Sequence, residues 1–169
     1  QSDEFPVGKI LDAAKSASRG DAALLPDYLK MLTDTNPLIR HWAAFGIFQV
    51  HKDSPEIQEA LRTMITQDAH SANRTMAAQA LACCGDPGTA FTAIMKELNT
   101  EKDEFKRLLA LNALEYGRVA NRLTKEDWEA LSKHKPYKPS PHQDHLAYYW
   151  AKSITDHLME ACPKRIVVE

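Results

Sequence analysis

The sequence is organised around a motif that occurs three times. It consists of an arginine, two residues, an alanine, two residues, a small residue and a large aliphatic residue, and it begins at Arg40, Arg74 and Arg107. The intervals between these arginines are 34 and 33 residues. A period of this size is typical of repeat proteins in which each unit is a pair of helices and stacked units share one core. The spacing therefore predicts an all-α solenoid.

Composition is compatible with such a fold and narrows the classes of partner. The chain has 169 residues, of which 44% are hydrophobic and 26% are charged, as in ordinary globular proteins. The net charge of −2 predicts no general attraction to nucleic acid or to an anionic membrane surface. No apolar run approaches the ~18 residues that span a bilayer. We therefore expect neither nucleic acid nor a membrane as a partner.

Each unit is predicted to contain two antiparallel helices. In the second helix, the positions at offsets +2, +3, +6, +7 and +10 from the arginine fall on one face and are expected to form the core. Small residues at +3 and +6 allow neighbouring helices to approach closely. The three predicted core stripes are Trp42, Ala43, Gly46, Ile47 and Val50; Met76, Ala77, Ala80, Leu81 and Cys84; and Leu109, Ala110, Ala113, Leu114 and Gly117.

The two ends of the chain depart from the repeat. Residues 1–20 contain one predicted helix, Pro6 to Ala17, with the spacing of a second helix that lacks its first. Three repeats are expected over residues 21–120. Residues 121–169 are predicted to form a helical cap, which starts at a capping box at Thr124 and includes a proline-rich crossing segment. Because the half-repeat has an open side and the first residue is Gln1, we expect the chain to come from a longer polypeptide.

The three units resemble HEAT repeats. In that family an aspartate or asparagine lies in the turn between the helices, an arginine begins the second helix, and paired small residues follow. The resemblance covers residues 21–117 and implies a short right-handed superhelix of antiparallel helix pairs. It also implies that each arginine pairs with an acidic group of the turn or of the adjacent repeat. The arginines are Arg40, Arg74 and Arg107, and their expected partners are Asp34, Asp68 and Asp103.

A second resemblance concerns a possible parent protein. The stretches LPDYLKMLTDTNPLIRHWAAFGI and FKRLLALNALEY are similar to the HEAT-type C-terminal extension of some bacterial sulfatases. Those periplasmic or secreted enzymes remove sulfate esters from glycans. Their nucleophile motif is Cys or Ser, any residue, Pro, any residue, Arg, and Cys162-Pro-Lys-Arg165 is one residue too short to match it. The resemblance therefore implies an accessory domain, periplasmic or secreted, with no catalytic residue and no cofactor.

One histidine group has the residue types of a metal site. His142 and His145 have helical spacing, and His134 is nearby. The surrounding stretch is rich in proline and polar residues, and Asp144 suits the start of a helix. We expect no metal site here.

Two further motifs have structural interpretations. Cys83 and Cys84 are adjacent, and adjacent cysteines form a disulfide only with strain, so we expect both to be buried. Asn73 begins a glycosylation sequon, but it lies at the start of a helix that carries a structural arginine. We expect it to be unmodified.

The outward face of the second helices is the candidate contact surface. Offsets +1, +4, +5 and +8 lie opposite the core stripe, where a solenoid without a partner is polar. Several of these positions are apolar, and exposed apolar patches mark contact surfaces. The predicted partner-binding residues are His41, Phe45, Phe48, Leu108 and Leu111. Their cover could be the N-terminal helix, a returning C-terminal helix, a catalytic domain, another protein or a glycan.

These observations favour a non-catalytic interaction module, the accessory domain of a sulfatase-like hydrolase. Its partner would then be the catalytic domain of the parent chain or another protein. A stand-alone HEAT-repeat scaffold and a purely structural spacer are the alternatives. A helical-repeat enzyme of the DNA glycosylase or lyase type is disfavoured, because the outward face carries Glu115 and little other charge.

Overall fold

The computed structural model describes residues 6–116, 124–132, 153–154 and 156–157, and every regular element in these ranges is a helix. None of the helices in the described ranges is long and apolar enough to cross a bilayer. The elements are α1 (Val7–Ala17), a 3-10 turn (Ala22–Leu24), α2 (Leu25–Met31), α3 (Pro37–Val50), α4 (Pro55–Gln67), α5 (Ser71–Cys83), α6 (Pro87–Thr100), α7 (Glu104–Tyr116) and α8 (Lys125–Ser132).

The helices form two layers. The first layer contains α2, α4 and α6, and each of them packs on the helix that follows it, α3, α5 or α7. The second layer runs in the order α1, α3, α5, α7, and each of its helices packs against the next. First-layer helices make no comparable contacts with one another in the part of the chain described. The prediction of a short α-solenoid is confirmed, and α1 stands where the second helix of a preceding repeat would stand.

Local sequence explains where three of the helices begin. Asn36, Ser54 and Asp86 each accept a hydrogen bond from a backbone N–H of the first turn, at 2.9, 3.3 and 3.1 Å. A proline follows each of them at the first helical position, where its missing N–H costs nothing. The capping box of α8 is also formed: Asp127 N–H donates to Thr124 Oγ1 at 3.2 Å, and Thr124 N–H donates to the Asp127 carboxylate at 2.9 Å.

Alanines allow α5 to lie at the centre of the array. Ala77, Ala78, Ala80 and Ala82 are all fully buried, because α3 and α7 flank this helix in its own layer and α4 and α6 cover it from the other. The predicted core stripe of α5 is therefore confirmed. Its predicted outward face is wrong, since Ala78, Ala82 and Thr75 are buried as well.

The predicted faces of α7 are also corrected. Leu108 and Leu111 were expected to face outward, yet they are 6% and 2% exposed, whereas Leu109, expected in the core, is 44% exposed. Leu111 lies in the same hydrophobic cluster as Leu131 of α8, and Ile154 packs against that cluster. Residues C-terminal to the repeats thus contribute to the core around α7, and a pattern internal to the repeat does not contain this information.

Tyr28 connects the first three helices. Its ring is fully buried, and its hydroxyl donates to the carbonyl oxygen of Ser16 at the end of α1, at 2.7 Å. The ring lies against Gly46 of α3, where a Cβ atom would come within 2.8 Å of Tyr28 Cζ. Gly46 is therefore required by the close approach of α2 and α3.

We predict that Gly46→Ala lowers the free energy of unfolding by roughly 1–3 kcal/mol, because the added methyl group forces the buried Tyr28 ring to move. The measurement is urea denaturation followed by circular dichroism. Gly8→Ala is the matched control: no atom lies within 4 Å of its added Cβ, and replacing a helical glycine stabilises by up to about 1 kcal/mol. Equal stability of the two variants would contradict the packing argument.

Candidate functional site

Consecutive repeats are linked by ion pairs of the motif arginines. Arg40 Nε donates to Asp68 Oδ2 at 2.7 Å, and Arg40 Nη2 donates to Asp68 Oδ1 at 3.1 Å. Arg40 Nη1 donates to the carbonyl oxygens of Asp34 and Thr35, at 2.9 and 3.1 Å. The turn of the same repeat therefore supplies carbonyl oxygens, and the turn of the next repeat supplies the carboxylate. The sequence predicted Asp34 as the carboxylate partner of Arg40, but in the structure the carboxylate belongs to Asp68 and Asp34 supplies only its carbonyl oxygen.

Arg74 repeats this arrangement with one difference. Its Nη1 donates to the carbonyl oxygen of Asp68 at 2.9 Å, while Nε and Nη2 donate to the two carboxylate oxygens of Glu97, at 2.7 and 2.8 Å. The expected pairing with an acidic group of the adjacent repeat is therefore present, but the named partner differs: the Asp68 carboxylate is occupied by Arg40, and Glu97 of α6, 5% exposed, takes its place. The pairing of Arg107 with Asp103 stays a prediction.

Asp68 is the centre of this network. Its side chain is 2% exposed, and it accepts hydrogen bonds from the His70 N–H at 2.8 Å and from Asn73 Nδ2 at 3.0 Å, besides those of Arg40. Burial favours the protonated carboxyl and by itself would raise the pKa of Asp68. The hydrogen bonds from Arg40, His70 and Asn73, together with the charge of Arg40, outweigh burial and hold that pKa well below its usual range.

Asn73 belongs to the same network and is not available for modification. It is 3% exposed, and its Nδ2 also donates to the carbonyl oxygen of Pro37 at 3.0 Å. A glycan could not be attached without breaking these bonds. The burial of Asn73 therefore agrees with the expectation that its sequon is unmodified.

We predict that Asp68→Asn lowers the free energy of unfolding by about 3 kcal/mol at neutral pH, since it leaves Arg40 without its carboxylate. The folded-state pKa of Asp68 is lowered, so its stabilisation is fully present above the unfolded value of about 4 and is lost as pH falls below it. The difference between wild type and variant should shrink at acid pH. Denaturant titrations from pH 7 to pH 3 measure this difference in the free energy of unfolding, and the exposed Asp12→Asn variant is the control. A difference that does not change with pH would contradict the ion pair.

Five aromatic side chains form a continuous row along α3 and its C-cap. We call His41, Trp42, Phe45, Phe48 and His51 the aromatic row. Successive ring centroids are 6.1, 5.6, 6.1 and 5.3 Å apart, and all but one of these contacts are edge to face. All five side chains are half-buried. The row is therefore packed on one side and accessible on the other.

The first histidine of the row, His41, is uncharged near pH 7. Burial lowers the pKa of His41, and a hydrogen bond with Asn73 only partly opposes this, so its imidazole is uncharged at neutral pH. Phe45 and Phe48 pack against the hydrophobic core, which restricts the positions of their rings. The row thus offers apolar, pre-positioned rings for contact with another molecule.

The structure brings together only part of the predicted contact surface. His41, Phe45 and Phe48 belong to the row, whereas Leu108 and Leu111 are buried in the structure. The offset pattern did not predict two residues of the row. Trp42 lies at an offset expected in the core. His51 lies beyond the last offset of the pattern, at the C-cap of α3, where its backbone is left-handed with φ 55°. On α7 the exposed apolar residues are Phe105 at 60% and Leu109 at 44%.

Within the described ranges, no group of three or more His, Cys, Asp and Glu side chains is placed to hold a metal ion. The histidines that the sequence offered as ligands, at 134, 142 and 145, lie outside the described residues. The proline-rich segment from 133 to 142 also lies outside them. The absence of a metal site there stays an expectation.

Cys83 and Cys84 are buried thiols at 5% and 0% exposure, as their positions predicted. Burial raises the pKa of Cys84 to about 12, and the neighbouring Cys83 and Asp53 act in the same direction. The thiolate is the reactive form of cysteine, so Cys84 is inert in the folded chain.

We predict that iodoacetamide at pH 8 leaves Cys83 and Cys84 unmodified in the native protein and alkylates both in urea. Burial both blocks access and disfavours the thiolate. Peptide mapping by mass spectrometry measures the alkylation of Cys83 and Cys84 separately from that of Cys162. Rapid native labelling of Cys84 would show that α5 is not buried as described.

Together, the stacked helix pairs and the arginine links between them define an α-solenoid repeat protein. A family model described as HEAT repeats matches residues 17–115. The match covers more than half of the chain, and the chain belongs to the HEAT repeat family. No curated protein matches this sequence.

Proposed function

We propose that this chain is a non-catalytic protein-interaction module that binds its partner through the aromatic row. Membership of the HEAT repeat family supports a scaffold role, because stacked repeats present extended surfaces for other proteins. The observation that carries the proposal is the row itself: four consecutive ring contacts along α3 and its C-cap, made by half-buried side chains.

The energetics of association favour such a surface. A ring whose inner half is already packed loses little side-chain freedom on binding, so less of the interaction free energy is offset by ordering. Aromatic side chains are enriched at the centres of protein interfaces and account for much of the binding free energy there. Full burial of a Phe side chain stabilises by roughly 1.5–3 kcal/mol. Phe45 and Phe48 are already partly buried against the core, and a partner would bury the surface that remains exposed.

The finer proposal names the partner as the catalytic domain of a sulfatase-like hydrolase. Its support is the likeness of residues 25–47 and 105–116 to the C-terminal extension of bacterial sulfatases. On this proposal the chain is a periplasmic or secreted accessory domain. A stand-alone scaffold that binds a different protein is the alternative, and it uses the same aromatic row.

We predict that a sulfatase-type catalytic domain encoded in the same gene, produced separately, binds this chain in calorimetry. Phe45→Ser combined with Phe48→Ser should weaken that binding by more than about tenfold, because two central apolar contacts are removed. Circular dichroism must show that the double variant is folded.

Phe105→Ser is the matched control, since Phe105 is an exposed phenylalanine on α7, outside the row. It should leave binding unchanged. Loss of binding through Phe105→Ser alone would remove the aromatic row as the contact surface. Failure of the folded wild-type chain to bind the catalytic domain would rule out the sulfatase proposal and leave the scaffold alternative.

A further inference from the structure

His51, the last residue of the aromatic row, has a left-handed backbone. Its φ is 55°, and no other residue except glycine has a positive φ in the part of the chain that the structure describes. In this region the Cβ atom of an L-residue crowds its own backbone, so a side chain costs conformational free energy that glycine does not. The conformation belongs to the fold, because residue 51 is the C-cap at which the chain leaves α3.

Second-layer helices end in a positive φ repeatedly. Gly20 follows α1 at φ 61°, and Gly85 follows α5 at φ 106°. Gly85 lies 11 residues after the motif arginine Arg74. His51 lies 11 residues after Arg40, at the same position of the motif. The ends of α1 and α5 therefore carry the residue that adopts a positive φ without strain, whereas the end of α3 carries a histidine.

The helix cap does not need the histidine side chain. The hydrogen bond that closes α3 runs from the backbone N–H of His51 to the carbonyl oxygen of Ile47, at 3.2 Å. Glycine would donate the same hydrogen bond and would relieve the strain of the positive φ. The end of α3 therefore does not explain the presence of an imidazole.

The ring of His51 extends the aromatic row. It lies edge to face on Phe48, with the ring centroids 5.3 Å apart, and its side chain is half-buried. Phe48 itself packs against the hydrophobic core. Among side chains with rings, histidine is the one that is enriched in the left-handed region. Position 51 thus combines a backbone conformation suited to glycine with a side chain suited to the row.

We infer that His51 is a partner-binding residue, whose ring is retained at a strained position because it completes the contact surface of the row. The inference rests on the proposed function of the row. Strained backbone positions are concentrated at functional sites, where the strain is offset by the rest of the fold. The helix rises about 15 Å between His41 and His51. The partner therefore presents an apolar face of at least this length, which reaches the turn after α3.

A structural role for the ring is the competing explanation. If the contact between His51 and Phe48 contributes more to folding than the positive φ costs, removal of the ring lowers the stability of the chain. If the ring is retained for binding, glycine at this position relieves the strain and raises stability. The two explanations predict opposite signs for the effect of His51→Gly on the Tm.

The first measurement is the Tm of the full chain by circular dichroism. His51→Gly should raise the Tm by about 2–4 °C. Gly20→Ala is the matched control, because it places a side chain at φ 61° where the nearest atom, Gln49 Cβ, lies 3.6 Å from the added Cβ, an ordinary contact. Only the backbone strain changes there, so Gly20→Ala should lower the Tm by a similar amount. A lower Tm for His51→Gly would overturn the inference.

The second measurement is calorimetric binding to the sulfatase-type catalytic domain, at a temperature at which all variants are folded. His51→Gly and His51→Asn should each weaken binding by about tenfold, because both remove the ring. Asparagine also tolerates the left-handed region, so it removes the ring without loosening the helix end. His70→Asn removes an exposed imidazole outside the row and should leave binding unchanged.

The outcomes separate this inference from the proposed function. Weaker binding by a His51→Gly variant with a raised Tm supports the inference, because loss of folding cannot explain it. Unchanged binding by both His51 variants would overturn the inference and leave the proposed function intact. Weaker binding by His51→Gly alone would also overturn it, since a looser helix end would then be the cause. Failure of the wild-type chain to bind would remove the sulfatase proposal and this inference with it.

Discussion

The bidentate contact between Arg40 and Asp68 is the interaction on which the stacking of the array depends. A solenoid has no closed core, so each interface between repeats must specify its own geometry. The planar guanidinium of Arg40 specifies the geometry of its interface because two of its N–H groups donate to a carboxylate of the next repeat and a third donates to a carbonyl oxygen in the turn of its own repeat. Arg74 does the same with Glu97 and the Asp68 carbonyl. Both turns are thereby fixed relative to the repeat that follows.

Packing in the second layer complements these polar links. Ala77 and Ala80 of α5 leave room for the flanking helices, and Gly46 leaves room for the ring of Tyr28. Small residues at repeated positions thus set the distance between helices, while the arginines set the register. The aromatic row lies in this layer, on a helix that is held by α1, α2 and α5. A rigid support of this kind is what a binding surface made of rings requires.

Much of this architecture could be read from the sequence because it is local or periodic. The proline that follows Asn36, Ser54 or Asp86 marks a helix start, and the arginine motif marks the second helices. Glu97 could not be found this way, because it lies 23 residues from Arg74 in a different helix and no motif position corresponds to it. The exchange of Leu108 and Leu109 between core and surface was not predicted either, because the offsets of the motif place Leu109 on the core side. At the candidate site His41, Phe45 and Phe48 were found by helical spacing, whereas Trp42 was misassigned because it shares its offset with buried Met76.

The unequal contacts within the two layers have a mechanical consequence. Second-layer helices touch their neighbours along the array, and first-layer helices scarcely touch one another. The array therefore has a stiff side and a compliant side. Bending that closes the second layer is opposed by buried alanines at the helix contacts, whereas a change in the spacing of the first layer disturbs fewer contacts between its neighbouring helices, among them the ion pair between Arg62 of α4 and Asp86 at the N-cap of α6. An elastic response of this kind would let the curvature of the chain adjust to the shape of a bound protein while the aromatic row stays on the stiff side.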